Sequence, residues 1–144
     1  MSEKTIIQMK KYAVNAIHFN MNESFQLKPE RQIRINPNFQ RAIIKIDENN
    51  ALVKLSINIL ETNEPLPFTF SATVSGVFEL EQWSSSQALA NIMEDTALTV
   101  LFPYLRALVS TVTANSNLPP YFIPVLNIAE LFKKQIQPIS TTLQ

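Results

Sequence analysis

From Leu66 to Leu80 every even-numbered residue is apolar or small: Leu66, Phe68, Phe70, Ala72, Val74, Gly76, Phe78 and Leu80. The odd positions are mostly Thr, Ser and Glu. Side chains that change face at every step define a half-buried β-strand. Just upstream, Val53, Leu55, Ile57 and Ile59 alternate with Lys54, Ser56 and Asn58. The link Thr62-Asn63-Glu64-Pro65 is a turn by composition, so the two runs are expected to close an antiparallel hairpin.

Two further strands precede the hairpin. Ala42, Ile44 and Ile46, followed by Asp47-Glu48-Asn49-Asn50, read as a strand and its turn. From Ile6 to Phe19 the apolar phase flips twice, from Ile7 and Met9 to Tyr12 and Val14, then to Ile17 and Phe19. Each flip marks an extra residue, which predicts two bulges in one long, bent strand. Between these strands lies a link from Asn20 to Asn38 with Pro29 and Pro37, long enough to cross over the sheet.

The last third is helical. Ser84-Ser85-Ser86 offers N-caps for a helix opening at Gln87. Leu98, Leu101, Phe102, Leu105, Leu108, Val109 and Val112 recur at spacings of three and four, one face of a helix. Val100, Tyr104 and Ala107 add a second apolar row, and a helix apolar on two sides needs cover on two sides. Pro103 falls inside it and is expected to kink it. After the proline-rich run Leu118 to Leu126, Asn127 is a candidate cap for a short helix, Ile128 to Gln137, with Leu131, Phe132 and Ile136 on one face. Residues 1–137 read as one domain and 138–144 as a short uncharged tail.

Composition narrows the chemistry. The 144 residues hold no Cys, one Gly and one His, so thiol chemistry, phosphate loops and two-histidine metal sites within one chain are excluded. His18 lies between Ile17 and Phe19, has no identifiable nucleophile partner, and cannot organise catalysis alone. No catalytic residue, cofactor or metal is expected. Residues 1–60 sum to +4 and residues 61–130 to −6, without a cationic cluster that would suggest nucleic acid. From Gln82 to Ala129 only Glu94, Asp95 and Arg106 are charged, which points to contact with protein. No signal sequence is visible, and three prolines interrupt the uncharged stretch after Ala107, so a cytoplasmic protein without membrane insertion is expected.

Leu101-Phe102-Pro103-Tyr104-Leu105-Arg106, then Leu118-Pro119, then Asn127-Ile128-Ala129-Glu130-Leu131-Phe132, resembles the SecB family of chaperones. The resemblance extends to the order of strands, crossover, helix, proline loop and short helix from Ile6 to Gln137. It implies an α+β fold: a four-stranded antiparallel sheet, with a long kinked helix and a short C-terminal helix on one side. It further implies a homotetramer, a dimer of dimers built through the long helix and first strand, that holds unfolded polypeptide clients in apolar grooves. Exporting members are typically acidic and dock electrostatically on the SecA motor, whereas this chain is neutral. Other relatives are dedicated to the antitoxin of a toxin–antitoxin module, and both partners stay open. A structural or regulatory oligomer without a client is a further reading.

On this reading the client-binding candidates are Ile33, Ile35 and Phe39 in the crossover and Trp83 after the hairpin. Leu118, Tyr121, Phe122 and Leu126 in the proline loop join them, with Phe132 on the short helix. Leu101, Tyr104, Leu105, Leu108 and Val112 are the oligomer-interface candidates.

Overall fold

The computed structural model of the chain describes residues 6–26, 33–62, 64–134 and 141–143. In chain order the elements are β1 (Gln8–Met21), β2 (Ile33–Ile35), β3 (Asn38–Lys45), β4 (Asn50–Ile59), β5 (Phe68–Glu79), α1 (Gln87–Ala114), α2 (Ile128–Lys134) and β6 (Thr141–Leu143). Strands β1, β5, β4 and β3, in that order, make one antiparallel sheet, and β2 pairs with β6 outside it. Helix α1 packs on β4 and β5, and α2 packs on α1.

The hairpin forms as its alternation requires. Ala51, Val53, Leu55, Ile57 and Ile59 are wholly buried, and the register sets Val53, Leu55 and Ile57 opposite Gly76, Val74 and Ala72. Onto this face α1 lowers Met93, Ala97, Leu98, Leu101, Phe102, Leu105, Val109 and Thr113. Those spacings of one, three and four follow a single stripe of the helix. Gly76 is where the packing is tightest. A Cβ there would lie 2.7 Å from the Phe78 ring and 3.2 Å from the Met9 sulfur.

Strand β1 carries both expected bulges. Its register to β5 slips between Met9 and Lys11 and again between Val14 and Ala16, at the two phase flips. The slips keep Met9, Tyr12, Val14, Ile17 and Phe19 opposite Phe78, Gly76, Val74, Ala72 and Phe70, all on the face that carries α1.

The long helix starts as its cap residues dictate, with the Ser86 side chain accepting a hydrogen bond from the Leu89 N–H at 3.2 Å. Pro103 stands inside the helix and is exposed. By length and composition alone α1 is also long and apolar enough to cross a bilayer, with a mean hydropathy of 1.4 over 18 residues; in this fold eight of its residues are buried. Asn127 caps α2, its side-chain oxygen accepting the Glu130 N–H at 3.0 Å.

Two details go beyond the sequence reading. The row Ala42, Ile44 and Ile46 faces away from the helices, with Ile44 and Ile46 exposed, because the register of β3 turns Phe39 and Ile43 inward. Thr141–Leu143, expected within an uncharged tail, form strand β6. The expected end of the short helix, with Ile136 and Gln137, lies outside the described residues.

Candidate functional site

The proline loop between α1 and α2 alternates sharply in exposure. Tyr121 and Ile123 are 2% and 1% exposed, whereas Phe122 and Val125 are 66% and 86% exposed. Two hydrogen bonds explain the alternation. The Tyr121 N–H donates to the Thr113 hydroxyl at 2.8 Å, and that buried hydroxyl donates in turn to the Val109 carbonyl at 2.9 Å. Arg106 Nε donates to the Ile123 carbonyl at 3.0 Å, while its guanidinium lies 5.9 Å from the Phe102 ring. The loop backbone is thus tied to α1 on both sides of Phe122, which leaves that ring facing solvent. Three prolines at 119, 120 and 124 restrict the backbone further.

A second apolar surface lies along the first strand. Val14, Ile17 and Met21 are 43%, 42% and 42% exposed on the helix-bearing face of β1. Tyr104 of α1, also exposed, closes one end of the row by placing its ring 4.5 Å from that of Tyr12. Partial burial, and then the neighbouring Tyr104 hydroxyl, push the Tyr12 phenol above its ordinary pKa. Among the described residues no cluster of His, Cys, Asp or Glu could hold a metal ion.

Charges serve as ties near α2. Arg41 of β3 pairs with Glu94 and lies 4.7 Å from the centre of the Phe132 ring. Lys133 donates to Asp95 at 2.7 Å, and that hydrogen bond raises the lysine above its usual pKa. At the β3–β4 turn, the Asn49 N–H and then the Asn50 side chain hold the Asp47 carboxyl below the ordinary carboxylate value.

The structure sorts the sequence candidates into three groups. Ile33, Ile35 and Tyr121 direct their side chains into the core, at 5%, 0% and 2% exposure. Trp83 is pinned under the β3–β4 turn, its Nε1–H donating to the Asp47 and Asn50 carbonyls at 3.1 and 3.2 Å, so it braces that turn. Phe39 packs edge-on against Phe102 at 6.0 Å. Leu118, Leu126 and Phe132 are half-buried at the core margin, and of the nine client candidates only Phe122 is exposed.

The interface candidates divide too. Leu101 and Leu105 are wholly buried in the chain's own core, while Leu108 and Val112 are half-buried and Tyr104 is exposed. Sequence reasoning missed Thr113, Arg106 and Val125. A threonine on the apolar stripe of a helix, four residues beyond Val109, was the available signal for the first.

Comparison with known proteins is consistent with this arrangement. The family model for SecB, described as preprotein translocase subunit SecB, matches residues 2–138. An uncharacterised protein of Methanocaldococcus jannaschii is 33% identical over 132 residues, covering 88% of this chain and 82% of its own. The protein-export protein SecB of Dichelobacter nodosus is 26% identical over 121 residues, covering 82% and 76%. That of Anaplasma marginale is 28% identical over 115 residues, covering 75% of this chain and 66% of its own. Among solved structures, the Mycobacterium tuberculosis SecB-like chaperone in complex with a ChAD peptide from the HigA1 antitoxin aligns with a TM-score of 0.65. That alignment has 17% identity and covers 83% of this chain and 90% of the other, a likeness of fold.

Proposed function

The chain belongs to the SecB family, and from that premise we propose that it is a cytoplasmic holdase for unfolded or nascent polypeptides. The observation that carries this reading is the outward pair Phe122 and Val125, held away from the core by a backbone anchored at Thr113 and Arg106. A tied loop loses little conformational freedom when a client arrives, so more of the contact energy appears as affinity. The driving force is removal of apolar client surface from water, about 25 cal/mol per Å2, and it reads apolar character without reading sequence. Such contacts are weak singly and add by avidity when several copies present them.

We assign the row Val14, Ile17 and Met21, with Tyr104 and the margin residues Leu108 and Val112, to contact with further copies in a dimer of dimers. Among the described residues strand β1, 14 residues long, lies at a sheet edge, and its outward backbone groups run beside that apolar row.

Dedication to one client, such as an antitoxin, is favoured over general export by the charge arrangement. Glu79, Glu94 and Asp95 each face a cation (Lys10 at 3.6 Å, Arg41, and Lys133 at 2.7 Å), which weakens any acidic surface for SecA.

The test is suppression of aggregation of a chemically unfolded protein by substoichiometric chain, with binding measured by calorimetry. Phe122→Ala with Val125→Ala should weaken binding by about 1–3 kcal/mol, the scale of losing anchor residues. The thermal midpoint should stay put, since both side chains face solvent. Unchanged client affinity in the double variant would remove the loop from the site.

A further inference from the structure

Strand β2 has buried side chains at both ends and a backbone outside the main sheet. Ile33 and Ile35 turn inward, Arg34 is exposed, and the strand's ladder partner among the described residues is β6. The pairing is antiparallel, Ile33 with Leu143, Arg34 with Thr142 and Ile35 with Thr141. A backbone ladder is blind to side-chain identity, so any extended segment can supply the same bonds. Three paired residues outside a larger sheet make a marginal ladder. The tether sustains it, because a covalently linked strand is present at an effective concentration on the order of millimolar. The residues that fill the position, Thr141, Thr142 and Leu143, are also without charged side chains. Beside β2 lies a cleft of about 200 Å3 lined by Arg34, Asn36, Leu60, Thr62, Glu64 and Leu66, in which Leu60 is 60% exposed.

We propose that the β2 edge is a strand-addition site for an extended, uncharged segment of a client polypeptide, and that β6 is its resident occupant, displaced when a client binds. The proposal rests on the holdase reading and adds a regulatory element to it. It also gives buried Ile33 and Ile35 a part in client capture: their side chains fix the strand while its backbone does the binding. Apparent client affinity is then lowered by the fraction of molecules in which β6 occupies the edge.

The test uses the full-length chain and a permanently unfolded probe, reduced and carboxymethylated α-lactalbumin. Successive residues of a strand direct their N–H groups to opposite edges. Thr141→Pro and Thr142→Pro made together therefore delete whichever N–H faces β2, whereas Thr141→Ala with Thr142→Ala keeps both. The proline pair should bind the probe roughly three- to tenfold more tightly than the natural chain, and the alanine pair should match the natural chain. Amide exchange at Ile33–Ile35 should quicken in the proline pair and slow again when the probe is added. Equal probe affinity in the proline pair and the natural chain, or weaker binding by the proline pair, would overturn the displacement proposal alone. Absence of probe binding by every form would overturn the holdase reading and the proposal together.

Discussion

Two halves of one sheet face meet along β5 and have opposite fates. Toward β4, Val74, Ala72 and Phe70 face Leu55, Ile57 and Ile59 beneath α1, and all six side chains are at most 2% exposed. Toward β1, the same Val74 and Ala72 face Val14 and Ile17, which are 43% and 42% exposed. Apolar residues line this face on both sides, without a slip along β4 and with two register slips along β1. The difference is the placement of a single helix, which covers β4 and β5 and leaves part of β1 open. An alternating strand therefore declares which face is apolar, and leaves unstated whether its own chain covers that face.

The sharpest break of this comparison lies on the covered side. Leu105→Ala should cost about 2–5 kcal/mol in chemical unfolding, because a wholly buried leucine leaves a cavity beneath α1. A cost below about 1 kcal/mol would mean that α1 does not seal this half. At the seam, Gly76→Ala should cost about 1–3 kcal/mol, since the new methyl meets the Phe78 ring, which must move. Tolerance there, read by thermal melting, would show the seam to be looser than the 2.7 Å approach implies. The smallest effect on folding belongs to the open side. Ile17→Ser should change the stability of the isolated subunit by about 0.5 kcal/mol or less. In sedimentation it should shift the chain toward lower mass. An Ile17→Ser chain as destabilised as the Leu105→Ala chain, with its mass unchanged, would put Ile17 in the subunit's own core and erase the contrast.

The sheet and its bulges were legible because their signals are one-dimensional. Each phase flip between Met9 and Tyr12, or between Val14 and Ile17, is a residue too many in a period of two. Ser86 and Asn127 were legible as caps for a similar reason, since each stands just before a periodic run. The candidate site was far less legible. On α1 the pattern separates the stripe that holds Leu101 and Leu105 from the row that holds Tyr104, but leaves unstated which of the two meets the chain's own sheet. In the loop, Tyr121 and Phe122 are adjacent aromatics whose order is decided by the Thr113 hydroxyl, eight residues away on another element. Trp83, just past the hairpin, reads from sequence as groove wall and core alike, and its indole finds two carbonyls of the β3–β4 connection, a contact that only the fold creates. Paired charges hid in the same way: Glu94 and Asp95 are neighbours in sequence, but one meets β3 and the other α2.

The place of Trp83 also determines what light can report about this molecule. It is the chain's one tryptophan, 8% exposed, and its N–H is shared between the carbonyls of Asp47 and Asn50. Its emission is therefore a gauge of the β3–β4 turn, blue-shifted while the turn is closed and moving to longer wavelength as water enters. Phe122 and Val125 belong to a different segment and contribute no indole signal of their own. A client that settles on the proline loop and leaves the sheet at rest would be dark to intrinsic fluorescence, and any red shift on adding one would announce that the far turn had opened.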